Sequence, residues 1–203
     1  MSRIFIERSF TYSCPSKLFC IELLEKLEEE VALGVEVYAE LKQDKIIFRI
    51  FGLEPSVEEA IVKIKNFITQ FTKIKALNPK QGLTAEQLSK LIHKAIPLDV
   101  LAEVLKKQGI AGVVIKGNTI YADTDLETLQ AYSQLIAKAL DKTKFLRLSY
   151  NIKKAITAAI ALYNIDVREI LEKLKNCGML NENEELIVPW QRALDCLEEA
   201  YPM

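Results

Sequence analysis

One order of elements runs twice through the C-terminal two-thirds of this chain, and it constrains the fold more than any single motif. From Thr84, TAEQLSKLIHKAIPLD is apolar at helical spacing, breaks at Ile96-Pro97 and continues as VLAEVLKKQG to a glycine. A tight hairpin, VVIKGNTIYAD, follows, with Gly117-Asn118 at its turn, and then a long helix from about Asp125 to Lys142. From Asn151, NIKKAITAAIALYNID begins the same order again. At an offset of 67 residues, Leu88, Leu91, Ile92, Ala95 and Leu98 align with Ala155, Ala158, Ala159, Leu162 and Ile165, and Asp99 aligns with Asp166. Allowing two extra residues, LAEVLKKQGI (101–110) falls on ILEKLKNCGM (170–179), glycine on glycine. NENEELIV then stands where a second hairpin belongs, and a last helix starts near Trp190. Recurrence of the whole order predicts a structural repeat, with units at 82–144 and 145–203.

The N-terminal part has a different style. Residues 4–12 alternate like a strand, with Ile4, Ile6, Phe10 and Tyr12 on one face. PSKLFCIELLEKLEEEVA is helical, with Pro15 near its first turn and an apolar stripe at Leu18, Ile21, Leu24 and Leu27. Residues 35–42 and 45–52 form a hairpin about Gln43-Asp44. A long amphipathic helix over 54–75 has acidic residues early and lysines late, which suits its dipole. The order β-α-β-β-α over 1–76 predicts an α+β sandwich, similar to half of a ferredoxin-like fold or to a KH-like module. ALNPKQG (76–82) is the expected linker. Ile4, Ile6, Val35, Val37, Leu41 and Ile47 are expected in the core, with Phe5, Glu7, Glu36, Tyr38 and Glu40 on the open face. Three glutamates on that face count against RNA binding by the sheet.

Composition narrows the function classes. With 50% hydrophobic and 27% charged residues the chain is that of a folded globular protein. No apolar run approaches the roughly 18 residues of a membrane span, and the start does not resemble a signal peptide, so a cytoplasmic protein without membrane contact is expected. Cys14, Cys20, Cys177 and Cys196 have no CxxC spacing and His93 is the sole histidine, so no metal site is expected and the four cysteines read as free thiols. Abundant Lys, Glu and Ile with little Gly, Pro and Met is a thermophile's balance, which keeps an intracellular disulfide open. His93 has no acidic orienter, and neither a phosphate-binding GxxxxGK[ST] loop nor GxGxxG occurs. An enzyme and a cofactor are therefore not expected. Gly109-Ile110-Ala111-Gly112 matches the bare GxxG of KH domains, but its central residues are not basic, and it reads as a helix C-cap and turn.

Charge is unevenly spread: 11 basic against 12 acidic residues over 1–75, 9 against 7 over 76–144, and 7 against 9 over 145–203. The middle unit is the basic one. Lys90 and Lys94 lie a turn apart on its first helix, Lys106 and Lys107 end the second, and Lys116 sits at the hairpin tip. KTKFLRLSYNIKK (142–154) adds Lys144, Arg147, Lys153 and Lys154 with Tyr150 among them, the densest basic-aromatic stretch in the chain. These ten residues are the candidate nucleic-acid-binding set. The second helix carries Asp99 and Glu103 but no arginine or asparagine for base edges, so RNA or a ribonucleoprotein is the expected partner rather than specific DNA. The alternative is a protein–protein adaptor, which an exposed apolar patch at Leu186, Ile187, Val188 and Trp190 would favour.

Order of elements carries a resemblance. LTAEQLSKLIHKAIPLDVLAEVLKKQG as a helical corner and VVIKGNTIYAD as a wing resemble a winged-helix domain, and the residues from 145 onward resemble a second. The expected fold class is thus α+β: the N-terminal sandwich followed by two winged-helix-like units with short hairpins. The whole arrangement also resembles archaeal proteins grouped as a domain of unknown function. That resemblance implies a cytoplasmic archaeal protein and carries no activity with it.

Overall fold

Strand alternation at the N-terminus builds β1 (Phe5–Ser13), β2 (Glu36–Lys42) and β3 (Lys45–Leu53), with α1 (Lys17–Glu30) and α2 (Glu54–Lys75) between and after them. The computed structural model describes residues 4–201. It separates into two compact units, Met1–Ala76 and Leu77–Met203. In the first unit the sheet order is β1-β3-β2 with both pairings antiparallel. The central strand buries Ile46, Phe48 and Ile50 in one cluster with Leu23 and Leu27 of α1 and with Val57, Ala60 and Ile64 of α2.

Two expected core assignments are corrected here. Ile47 lies on the open face beside Arg49 and Phe51, because its neighbours Ile46 and Phe48 take the inward parity of a strand. Ile4 is exposed as well. On α1 the buried face is Cys20, Leu23 and Leu27, whereas Leu18 and Ile21 of the expected stripe face solvent. A disulfide between Cys14, just past the end of β1, and Cys20 fixes that rotation. The helix starts at the Ser16 N-cap, whose hydroxyl accepts from the Phe19 amide, and Pro15 precedes it. Cys177 and Cys196 are also bonded, so the free-thiol reading of the four cysteines is overturned.

The second unit opens within the expected linker. A 3-10 turn at Pro79–Gln81 buries Pro79 and accepts the Ala122 amide, so that segment is part of the unit. Then come β4 (Leu83–Thr84), α3 (Ala85–Ile92), α4 (Leu98–Lys107), β5 (Val114–Lys116), β6 (Thr119–Tyr121) and α5 (Leu126–Thr143). The strands form a small antiparallel sheet in the order β4-β6-β5. Thr84 caps α3 in a full capping box with Gln87. Next are α6 (Tyr150–Tyr163), α7 (Val167–Asn176) and α8 (Trp190–Ala200). Residues 82–144 and 145–203 share a single core that runs from Leu83 to Leu197. At its centre α6 packs on α4, α5, α7 and α8, burying Ile152 and every residue from Ala155 to Ala161.

Backbone detail repeats along this unit. α3 and α6 both end in a non-glycine residue in the left-handed region, His93 at φ 55° and Asn164 at φ 51°. α4 and α7 both end at a glycine with positive φ, Gly109 and Gly178. Ile110 donates to Leu105 O as Met179 donates to Leu174 O, and Gly109 to Lys106 O as Gly178 to Lys175 O. Among the described residues the second copy has no strand pair: an isolated bridge joins Leu180 to Leu186 around a loop in which the Asn181 amide donates to Glu185 O.

Candidate functional site

The break between α3 and α4, the end of α5 and the start of α6 enclose a cleft of about 310 Å³. Local signals place each wall. α3 stops at His93 and delivers Lys94, Pro97 presets the entry to α4, and α5 ends at Thr143 in a turn closed by the Leu146 amide on the Thr143 carbonyl. Ser149 then opens α6 as an N-cap that makes no side-chain hydrogen bond. The floor is buried Thr143 and Thr157, whose hydroxyls lie 3.2 Å apart. Apolar wall comes from Pro97, Val100 and Leu140.

Five of the ten expected binding residues meet here: Lys94, Lys144, Tyr150, Lys153 and Lys154. They are not equivalent. Lys94 donates to Ala137 O at 2.7 Å and to the Asp141 carboxylate at 2.6 Å. Lys154 is nearly buried, donates to the Asp99 carboxylate and lies 4.3 Å from the centre of the Tyr150 ring. Burial works to lower the Lys154 pKa, but the hydrogen bond and the charge of Asp99 outweigh it, and the ammonium is held above its ordinary range. Lys144 and Lys153, by contrast, have no carboxylate partner among the described residues. Arg147, in the loop between α5 and α6, has none either. Phe145, 85% exposed, and Tyr150, 66% exposed, flank this free charge.

Residues 14–192 match the family described as "Uncharacterized protein conserved in archaea (DUF2067)". The chain belongs to that family. Every cleft residue of this DUF2067 chain lies inside the matched span. No match was found among the curated proteins or among the solved structures.

The other expected residues stand outside the cleft. Lys107 is the most committed: its side chain is 15% exposed and its ammonium donates to Asp195 at 2.5 Å and Glu198 at 2.6 Å, tying the end of α4 to α8. Desolvation opposes its charge, yet the two carboxylates outweigh it and hold its pKa above the ordinary lysine value. Beside them the Tyr163 hydroxyl, buried and without a hydrogen-bond partner among the described residues, has its pKa raised by burial and then by Glu198. Lys107 is therefore a strut between helices. Lys90 pairs with Glu86 across one exposed helical turn. Lys106 is exposed at the end of α4, and Lys116 is exposed on the hairpin with its ammonium 5.5 Å from the centre of the Tyr121 ring.

Asp99 and Asp141 are visible near the lysines in the sequence, but their pairing with Lys154 and Lys94, which decides which lysines are free, is not, and Thr143 and Thr157 in the floor went unread. Two hydroxyls at otherwise apolar helix positions were the available signal. The GIAG segment is a turn: Gly109 closes α4, and a Cβ on Gly112 would lie 2.5 Å from the Asp123 carboxylate. Around the bridge after α7, Trp190 is buried and Leu186 packs on the core, leaving Ile187 as the exposed large residue of the segment considered for protein docking. Among the described residues no group of three or more His, Cys, Asp or Glu is placed to hold a metal, and no helix is long and apolar enough to cross a membrane.

Proposed function

We propose that this protein binds RNA, alone or within a ribonucleoprotein, without catalysing a reaction, through the segment joining α5 to α6. The observation that carries the reading is the grouping of Lys144, Arg147 and Lys153, all free of carboxylates among the described residues, with exposed Phe145 and Tyr150 within ten residues of chain. Cations for phosphates and flat aromatic faces for unstacked bases are the parts of a single-strand contact. Order in the sheet adds support: β4-β6-β5 with α3 and α4 between β4 and β5 is the order of a winged helix, a fold that presents lysines such as Lys106 and Lys116 to a phosphate backbone. Lys107, Lys154 and Lys94, the last matched by Asp141, serve the fold in this reading, and Lys90, exposed beside Glu86, contributes weakly.

Fluorescence anisotropy with single-stranded RNA, structured RNA and duplex DNA, each over a range of salt, tests it. Three phosphate contacts give a slope of log affinity on log salt near −2, and Lys153→Glu removes at least about 0.7 of that slope. Single-stranded or loop-containing RNA is expected to bind most tightly. Absence of binding to all three at low salt overturns the proposal.

A further inference from the structure

A cleft that bound only an inorganic anion would be lined by N–H and O–H donors. This one has carbon on one side, from Pro97, Val100 and Leu140, and charge on the other. The charge is also measured out. Asp141 matches Lys94 and Asp99 matches Lys154, which leaves Lys144 and Lys153 as a surplus of two positive charges. A phosphate monoester carries about −1.5 to −2 at pH 7, so it balances that surplus. Tyr150 stands at the cleft with its ring mostly exposed and with the Lys154 ammonium held against it by Asp99. The partial positive end of α6 adds to the field at this point. A volume of about 310 Å³ is at the small end for ligand sites and excludes a duplex.

From this geometry we infer that the cleft is a subsite for one nucleotide, its base against Tyr150 and the apolar wall and its phosphate between Lys144 and Lys153. The inference rests on the RNA reading for one of two sources, the phosphorylated terminal nucleotide of an RNA strand, because a phosphate inside the strand is a singly charged diester and would leave the surplus unbalanced. The other source is a free nucleoside monophosphate, and the chemistry recognised is the same.

The test uses the full chain and three probes: AMP, inorganic phosphate, and a single-stranded oligo(A) RNA with a terminal 5′-phosphate and a 3′-fluorescein label. AMP is followed by amide NMR spectra and the RNA by anisotropy, for wild type, Tyr150→Ala and Lys153→Glu. Tyr150 is largely exposed and Lys153 unpaired, so circular dichroism is expected to show both variants folded. Saturable AMP shifts at Thr143, Lys144 and Tyr150 to Lys154, with AMP binding weakened on the order of tenfold by Tyr150→Ala, support the subsite. Inorganic phosphate producing the same shifts at the same concentration overturns it, because the apolar wall would then contribute nothing. RNA binding that is unchanged in Tyr150→Ala, with AMP shifting no cleft signal, overturns the subsite and leaves the RNA reading standing. AMP binding in the cleft without RNA binding upholds the subsite for the free nucleotide and overturns the RNA reading. Neither ligand binding overturns both.

Discussion

The two helical corners of the second unit, α3–α4 and α6–α7, share the left-handed residue that ends their first helix and the glycine that stops their second, but not their burial. α3 buries Leu88 and Leu91 and shows its other side to solvent, while α6 is covered by four other helices. Matched positions explain the difference. Where the first corner has Leu88, Leu91 and Ile92, the second has Ala155, Ala158 and Ala159. Small side chains let neighbouring helices approach α6 from several directions at once, and a leucine there would hold them off. One local pattern thus yields a peripheral helix or a central one according to side-chain volume alone.

The links from each corner to its third helix are also matched in place and different in chemistry. Gln108 and Cys177 each precede the closing glycine, and Tyr132 and Cys196 are each the seventh residue of their helices, α5 and α8. In the first copy the Tyr132 hydroxyl donates to Gln108 Oε1 at 2.9 Å, and in the second a disulfide joins the same two places. The copies are then held to one another by Lys154 on Asp99 and by Lys107 on Asp195 and Glu198.

Volume should separate the corners most strongly. Leu88→Ala is expected to cost about 2–5 kcal/mol by opening a cavity, and Ala158→Leu about 1–3 kcal/mol or the fold itself by overpacking. Urea denaturation checks both, and a tolerated leucine at Ala158 would break the account of α6. Cross-links come next. Replacing Cys177 and Cys196 by serine closes no loop over their separation of 19 residues and should cost about 3 kcal/mol, against about 1 kcal/mol for Tyr132→Phe at the matched place. Thermal unfolding of the double serine variant against wild type, both without reductant, measures the first directly, since reductant would also open Cys14–Cys20.

The ties between copies have a pH signature. Lys107 and Lys154 are both raised above the ordinary lysine value of 10.5 in the folded protein. Their contribution is fully present below that value and is lost as pH rises through the higher folded values. Stability should therefore be insensitive to these groups near neutrality and fall in alkali. Asp99→Asn should remove about 1–2 kcal/mol at pH 7 and flatten part of the alkaline fall, which denaturant titrations across pH 8–12 would show. The smallest effect tests the likeness of the caps. Gly109→Ala and Gly178→Ala place a Cβ in open space at φ 74° and 65°, so each should cost only the left-handed backbone penalty of about 1 kcal/mol. Unequal costs would show that the two helix ends are not equivalent.

Legibility followed distance along the chain. The hairpin at Gln43-Asp44, the capping box at Thr84, the glycine stops and the long α2 were readable because each is set by residues within a turn of one another. The face of α1 was not, since its sequence holds two apolar stripes and the Cys14–Cys20 bond selects the one with Cys20, Leu23 and Leu27. For the candidate site, the basic-aromatic stretch was visible as composition, but the division of its lysines into free and matched was not.

By itself the sequence determined the order of elements, their ends and the repetition of helix, helix, glycine and helix, because backbone propensity and capping act over a few residues. Only the tertiary structure decided that both copies share one core, that the cysteines pair, and that Lys144 and Lys153 meet no carboxylate among the described residues while Lys94, Lys107 and Lys154 are engaged. Those outcomes depend on partners such as Asp141, 47 residues from Lys94, and Asp195, 88 residues from Lys107. A charge is available to a ligand only if folding brings no opposite charge beside it, and no local pattern records that.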